Sequence, residues 1–273
     1  KTVGWKTSAN KTFEKEASFT AWGTHVDGPS GGVGAPIGRR KAIASLACEA
    51  LNLDYVSKRA MQQLSGLFVH PFMHRRNLFC VFESLFVWIE SFGPGDVRRI
   101  PGTIIDELIG AILLIPLAES NVRWPISEVL SATDATPVGG GTARTTTTQN
   151  IARQLYRYCA HKGEHTRLDW SHNPTLLTSP MVTCTPDLEA LILGHVWEPA
   201  ASYRFHRRAH VNLQELRALI VEVRERAKTE TGVRIINCCD SRVVAGAWSK
   251  GRSSSKKMNR LLKTALPFLL GAR

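Results

Sequence analysis

The stretch Val129-Leu130-Ser131-Ala132-Thr133-Asp134-Ala135-Thr136-Pro137-Val138-Gly139-Gly140-Gly141 begins as a short apolar, β-prone run. It reaches a carboxylate at Asp134 and then breaks at Pro137 and three consecutive glycines. Ala143–Thr148 follows, rich in β-branched threonine, and the pattern predicts two antiparallel strands joined by a glycine turn. Downstream the elements alternate. A helix is expected near Ile151–Ala160, another near Pro186–Leu193, and a third strand over Ser202–His206. The clearest helix is Leu213–Lys228, with apolar Leu213, Leu216, Leu219, Ile220 and Val223 on one stripe. A buried strand, Val233–Cys239, then reaches a second carboxylate, Asp240. A helix over Ser241–Trp248 and a loop Lys250–Ser255 lead into a last helix from Lys256 to about Leu266, which Pro267 should end or kink. Strands alternating with helices predict an α/β domain over residues 125–273.

Upstream the character changes. Ser18–Asp27 reads as an extended segment closing on the turn signal Asp27-Gly28-Pro29, and a glycine-rich loop Ser30–Gly34 follows it. Helical patterns cover Arg40–Leu51, then Ser57 (as N-cap) to Val69, then Arg75–Ser91. Gly93-Pro94-Gly95 breaks the chain before an apolar helix from Thr103 to about Ile115. Residues 1–95 are therefore expected to be mainly helical, and 96–124 a linker carrying that apolar helix. No internal repeat is present.

At 273 residues with 43% hydrophobic content, the chain can bury a core, which excludes global disorder. Thirty-five Lys and Arg against 23 Asp and Glu leave a net charge of +12. That balance favours polyanionic partners, nucleic acid first and an anionic membrane surface second. The six cysteines form no CxxC pair and no disulfide ladder, so a reducing intracellular compartment, cytoplasm or nucleus, is expected. No secretory signal opens the chain, and Leu108–Leu117 is too short to span a bilayer. The chain starts without Met and reads as a piece of a longer protein.

Asp134, Glu215 and Asp240 are the candidate site. Around one sheet edge, three carboxylates make a hard, oxygen-rich site suited to Mg²⁺ or Mn²⁺. Each also has an ordinary explanation. Asn212 and Glu215 have capping-box spacing, Asp240 could cap the helix after it, and Asp134 could be a turn aspartate.

Three motifs in order carry a resemblance. Ala132-Thr133-Asp134-Ala135 with Gly139-Gly140-Gly141 resembles the first hairpin of ribonuclease H domains in retroelement reverse transcriptases. His210–Leu219 resembles their first helix, which carries a catalytic glutamate. Asn237-Cys238-Cys239-Asp240-Ser241-Arg242-Val243-Val244, with Lys250–Ser255 behind it, resembles the strand and loop around the third acid. The tyrosine-recombinase (DIRS-like) and pararetroviral branches are the nearest analogies. Phe19–Gly28 resembles the primer-grip hairpin, and Lys41–Gly66 with His70–Arg76 resembles the thumb and connection. The resemblance implies a ribonuclease H-like domain, a mixed sheet flanked by helices, preceded by a thumb/connection-like region. It implies hydrolysis of the RNA strand of an RNA–DNA hybrid, with Asp134, Glu215 and Asp240 as catalytic metal ligands. The hybrid, a template–primer duplex and the rest of a reverse transcriptase polyprotein are the implied partners. Two departures stand out: no Asp-Asp pair occurs, so polymerisation is not implied, and no Asp or Glu follows Asp240, where the family supplies a fourth acid. The domain therefore reads as truncated at its C-terminus.

The basic residues fit the same picture. Arg252, Lys256 and Lys257, from a run after Asp240 without acids, are candidate phosphate contacts, as are Arg207 and Arg208 before Glu215 and Arg75 and Arg76 farther upstream. Trp22 and Trp5 are candidates for stacking on a base or sugar. His161, His165 and His172 lack partners at zinc spacing. The competing reading is a catalytically silent nucleic-acid-binding remnant. A membrane-surface helix would need Lys256–Leu266, which Pro267 keeps short, so no membrane partner is expected.

Overall fold

In the first part of the chain come β1 (Ser18–Ala21), β2 (Thr24–Asp27), β3 (Gly32–Gly34), α1 (Ile37–Leu51), β4 (Val56–Ser57), α2 (Lys58–Met73), α3 (Leu85–Glu90), β5 (Val97–Arg98), α4 (Gly102–Leu114) and β6 (Glu119–Asn121). The second part holds β7 (Ile126–Ala135), β8 (Gly139–Thr146), α5 (Gln149–Arg157), α6 (Pro186–Leu193), β9 (Glu198–Arg204), α7 (Val211–Arg226), β10 (Arg234–Cys238), α8 (Arg242–Lys250) and α9 (Lys256–Gly271). The structure is a computed structural model that describes residues 15–159 and 186–272. Trp5, Cys184, His161, His165 and His172 lie outside the described residues.

The expected extended segment is a hairpin. β1 and β2 pair antiparallel from Ser18–Asp27 to Ala21–Thr24, leaving Trp22 and Gly23 as a two-residue loop. Both have positive φ, 48° and 75°, the backbone that matches a hairpin's own twist. β3 and β6 extend this into a four-stranded sheet in the order β1-β2-β3-β6.

Ser57 caps α2 as expected, accepting from the Ala60 amide at 3.3 Å. The helix expected over Arg75–Ser91 is instead a 3-10 turn, Arg76–Val81, followed by α3. Glu107, buried on α4, accepts the amides of Ser84 (2.7 Å) and Leu85 (3.0 Å), so a carboxylate from another element starts the new helix there. The apolar helix α4 belongs to the core through Ile104, Leu108 and Ala111.

The second sheet has the order β10-β7-β8-β9. β10 runs parallel to β7, and the β7–β8 and β8–β9 pairs are antiparallel, so the sheet is mixed and the chain mixed α/β. The three glycines do not form the turn. They begin β8, because strand β9 passes them carrying aromatic side chains: a methyl at Gly140 would meet the Tyr203 ring at 2.9 Å and Phe205 at 3.0 Å. Thr136-Pro137-Val138 makes the turn, with the Thr136 amide bonded to the Gly139 carbonyl at 2.8 Å. Pro267 neither ends α9 nor limits it to Leu266; the helix continues to Gly271.

Two apolar clusters hold these layers. The larger joins Phe68, Phe72, Phe82 and Leu108 of the first part to Leu216, Leu219, Val244, Leu262 and Leu266 of the second. It therefore crosses residue 125. The smaller lies on the other face of the mixed sheet, where Ile126, Leu130 and Ile236 meet Ala152 and Leu155 of α5. No helix among the described residues is long and apolar enough to cross a membrane.

Candidate functional site

Asp134, Glu215 and Asp240 lie around one end of the mixed sheet, each near enough to Cys239 for its charge to act on that thiol. Asp134 is the penultimate residue of β7 and is exposed; its Oδ1 accepts the amide of Ala135 at 2.7 Å. β10 pairs Cys238 with Ala132 in parallel register, two residues before Asp240 on one strand line and Asp134 on the other. Glu215 lies in the first helical stretch of α7 and is half-buried.

The ordinary explanations for Glu215 and Asp240 fail in the structure. His210, not Asn212, caps α7, its ring accepting the Asn212 amide at 3.3 Å. Glu215 is thus outside the N3 position, and its Oε2 is buried with no hydrogen-bond partner. Ser241, not Asp240, caps α8, accepting from Val244 at 3.4 Å. Asp240 remains exposed.

The three acids are not equivalent in placement. Along β7, Ser127 contacts Arg226 of α7 at 2.8 Å, and Leu130 packs toward α5. Alternation therefore puts Asp134 in the Leu130 set, on the face away from α7. Among the described residues, no group of three His, Cys, Asp or Glu side chains is disposed to hold a metal ion. All three carboxylates nonetheless act on one reporter. Burial pushes the Cys239 thiol above its usual range, a backbone hydrogen bond with Ser241 opposes this, and the charges of Asp240, Glu215 and Asp134 add to the rise. The donor set suits a hard cation in its chemistry, and the orphaned Glu215 oxygen calls for a partner.

Beneath the acids, polar side chains tie the strands together. Asn237 on β10 donates to the Thr133 hydroxyl at 2.9 Å and accepts from Ser131 at 2.9 Å. Glu222, almost fully buried on α7, is held by both Arg144 nitrogens at 3.0 and 2.8 Å, with Arg226 at 3.9 Å. This network clamps α7 to the sheet and so sets where Glu215 stands.

A basic groove of about 610 Å³ opens beside the start of α7. It joins two clusters that are remote in sequence: Arg207, Arg208, His210 and Arg217 on one wall, and Ser253–Ser255 with Lys257 on the other. No carboxylate lines it. Arg252 and Lys256 are exposed near its second wall, the Arg252 guanidinium lying 5.8 Å from the Phe86 ring centroid. Other basic residues are engaged within the fold. Arg75 donates to the Leu269 carbonyl at 2.5 Å, and Arg76 is half-buried with its carbonyl under Gly251. Lys263 and Arg260 pair with Glu83 at 3.2 and 3.5 Å, so the basic run after Asp240 is balanced in part by an acid from the first part. Trp22, at 99% exposure, projects from the hairpin tip. Arg217 escaped the sequence reading, which grouped His210 with Arg207 and Arg208 and took 250–255 as a loop without bringing the two together. Only the packing of α7 against the α8–α9 connection brings them to one place.

No protein-family model matches the chain, and no curated protein matches it. Solved structures resemble it remotely, among them two of foamy viral protease-reverse transcriptase. One is the foamy viral protease-reverse transcriptase dRH in complex with ds DNA, at 10% identity and a TM-score of 0.33, covering 92% of this chain and 36% of that one. The other is the foamy viral protease-reverse transcriptase in complex with RNA/DNA hybrid, at 9% identity and a TM-score of 0.32, covering 92% of this chain and 48% of that one. The chain thus spans less than half the length of either, and likeness at this level carries no inference.

Proposed function

We propose that this chain holds an RNA–DNA hybrid by its sugar–phosphate backbone and hydrolyses the RNA strand, as the ribonuclease H part of a retroelement reverse transcriptase. The observation that carries the reading is the adjacency of an acid-free basic groove to a sheet end bearing Asp134, Asp240 and the orphaned Glu215 oxygen. Arg207, Arg208, Arg217 and Lys257 would neutralise phosphates and fix the duplex on the surface. Arg252 and Lys256 would extend that track. Asp134, Glu215 and Asp240 would hold Mg²⁺ or Mn²⁺, which supplies an activated water. Both aspartates are exposed to solvent beside this end of the sheet, where an incoming cation could reach them.

A second reading, a silent nucleic-acid-binding remnant, is favoured by one observation: no three of the described acids stand ready for a metal. One experiment separates the two. The nuclease reading expects Mn²⁺ binding by calorimetry and slow cleavage of the RNA strand, both abolished by Asp134→Asn with hybrid binding intact. Hybrid binding without Mn²⁺ binding or cleavage in the parent protein would establish the remnant.

A further inference from the structure

Gln214 is completely buried, an unusual position for a glutamine in the first turn and a half of a helix. Its amide nitrogen donates to the Pro137 carbonyl at 3.1 Å and to the Arg207 carbonyl at 3.0 Å. Its Oε1 accepts from Arg217 Nη1 at 2.6 Å. One side chain thus touches three segments: the turn that follows Asp134, the strand exit that carries Arg207 and Arg208, and the groove cation Arg217. Its backbone is that of the residue before Glu215. The apolar core does not require this arrangement, since a leucine or methionine would fill the same volume. The hydrogen bonds specify relative position instead.

We propose that Gln214 is a positioning residue that transmits phosphate occupancy of the basic groove to the carboxylate end of the sheet. The inference rests on the reading of that groove as a nucleic-acid backbone site. A phosphate drawn to Arg217 fixes the guanidinium, the guanidinium fixes the Gln214 amide, and the amide holds the Pro137 turn and the first turn of α7 in register. Asp134 and Glu215 lie three residues and one residue from those two anchor points.

The test uses the full chain, an RNA–DNA hybrid as probe, and EDTA to prevent cleavage. Amide hydrogen exchange is followed in the turn after Asp134 and in the start of α7, with and without hybrid. In the parent protein, hybrid should slow exchange at both places by about fivefold or more, the lower range of site-to-site coupling. Gln214→Met should keep hybrid binding but lose that protection at the turn. Because Gln214→Met leaves the Pro137 and Arg207 carbonyls without their buried donor, Arg217→Met provides the second arm. It should lower the salt slope of binding by about one and also lose the protection at the turn. A turn that gains no protection in the parent, or equal protection in both variants, overturns the proposal. Protection lost in the variants, with no Mn²⁺ binding or cleavage in the parent, supports it and removes only the nuclease reading.

Discussion

Glu222 and His74 show how single side chains set stability here. Glu222 is almost fully buried and satisfied by two arginines, and removing one member of such a network strands the others. Glu222→Ala should destabilise the chain by about 3 kcal/mol, the lower end of the usual range because Arg144 is partly exposed. Urea unfolding should show a lower midpoint with an unchanged slope. His74, half-buried at the C-cap of α2, has its Nε2 3.3 Å from the Thr24 hydroxyl of the hairpin. Burial pushes its pKa below the ordinary 6.5, and the charges of His70 and Arg40 act in the same direction. As pH falls through 6.5 the unfolded chain takes up this proton before the folded one, so stability is full above that value and declines below it. His74→Gln should flatten the dependence of unfolding free energy on pH over roughly pH 7 to 5. A slope unchanged in the variant would assign that acid sensitivity to other groups.

Whole elements depend on a few close approaches. Gly251 ends α8 with φ 68°, and its α-carbon lies over the Arg76 backbone, where an added methyl would overlap the Arg76 carbonyl. Gly251→Ala should therefore cost about 3 kcal/mol through positive-φ strain and lost docking of the α8–α9 turn. A differential melting curve reads this directly. The same turn forms one wall of the basic groove, so hybrid affinity should fall with it. At Gly140 the constraint is spatial, because Tyr203 and Phe205 occupy the space of a side chain. Gly140→Ala should cost about 1–3 kcal/mol, the usual range for overpacking, measurable by the same melt.

For the molecule as a unit, the larger apolar cluster joins α2 and α4 to α7, α8 and α9. A fragment of residues 125–273 would expose Leu216, Leu219, Val244, Leu262 and Leu266 together, a patch that favours aggregation over folding. Such a fragment should show no cooperative thermal transition by circular dichroism, whereas the full chain should. A cooperative melt of the fragment would show that residues 125–273 carry a sufficient core alone. The net charge of +12 predicts a steep salt dependence for hybrid binding. Replacing Arg207, Arg208 and Lys257 together by Ala should reduce the slope by about three if each meets a phosphate. An unchanged slope would reduce the groove to a solvated surface.

Local pattern was enough to place much of this architecture. The apolar stripe of Leu216, Leu219, Ile220 and Val223 announced α7, and β-branched runs announced β7, β8 and β10, because periodicity records which face is buried. Ser57 was legible as a cap because a hydroxyl and the amide three residues on are neighbours in any helix. The turn at Gly139–Gly141 was misread because glycine answers to two demands, a turn and a close neighbour, and the neighbour here comes from β9, some 60 residues away. The caps of α7 and α8 fall on His210 and Ser241, not on the Asn212 and Asp240 that local spacing offers. For α7 the entry of the chain is set by Gln214 bonding to the Arg207 and Pro137 carbonyls, contacts that no local pattern encodes. The order of Asp134, Glu215 and Asp240 could be read along the chain, and so could the excess of positive charge. Their arrangement in space could not. Strand alternation sets Asp134 on the face away from α7, and the packing of α7 against the α8–α9 turn gathers Arg207, Arg208, Arg217 and Lys257 into one groove. Burial of apolar surface drives that packing, and it is blind to which charges it brings together; only the folded chain decides that.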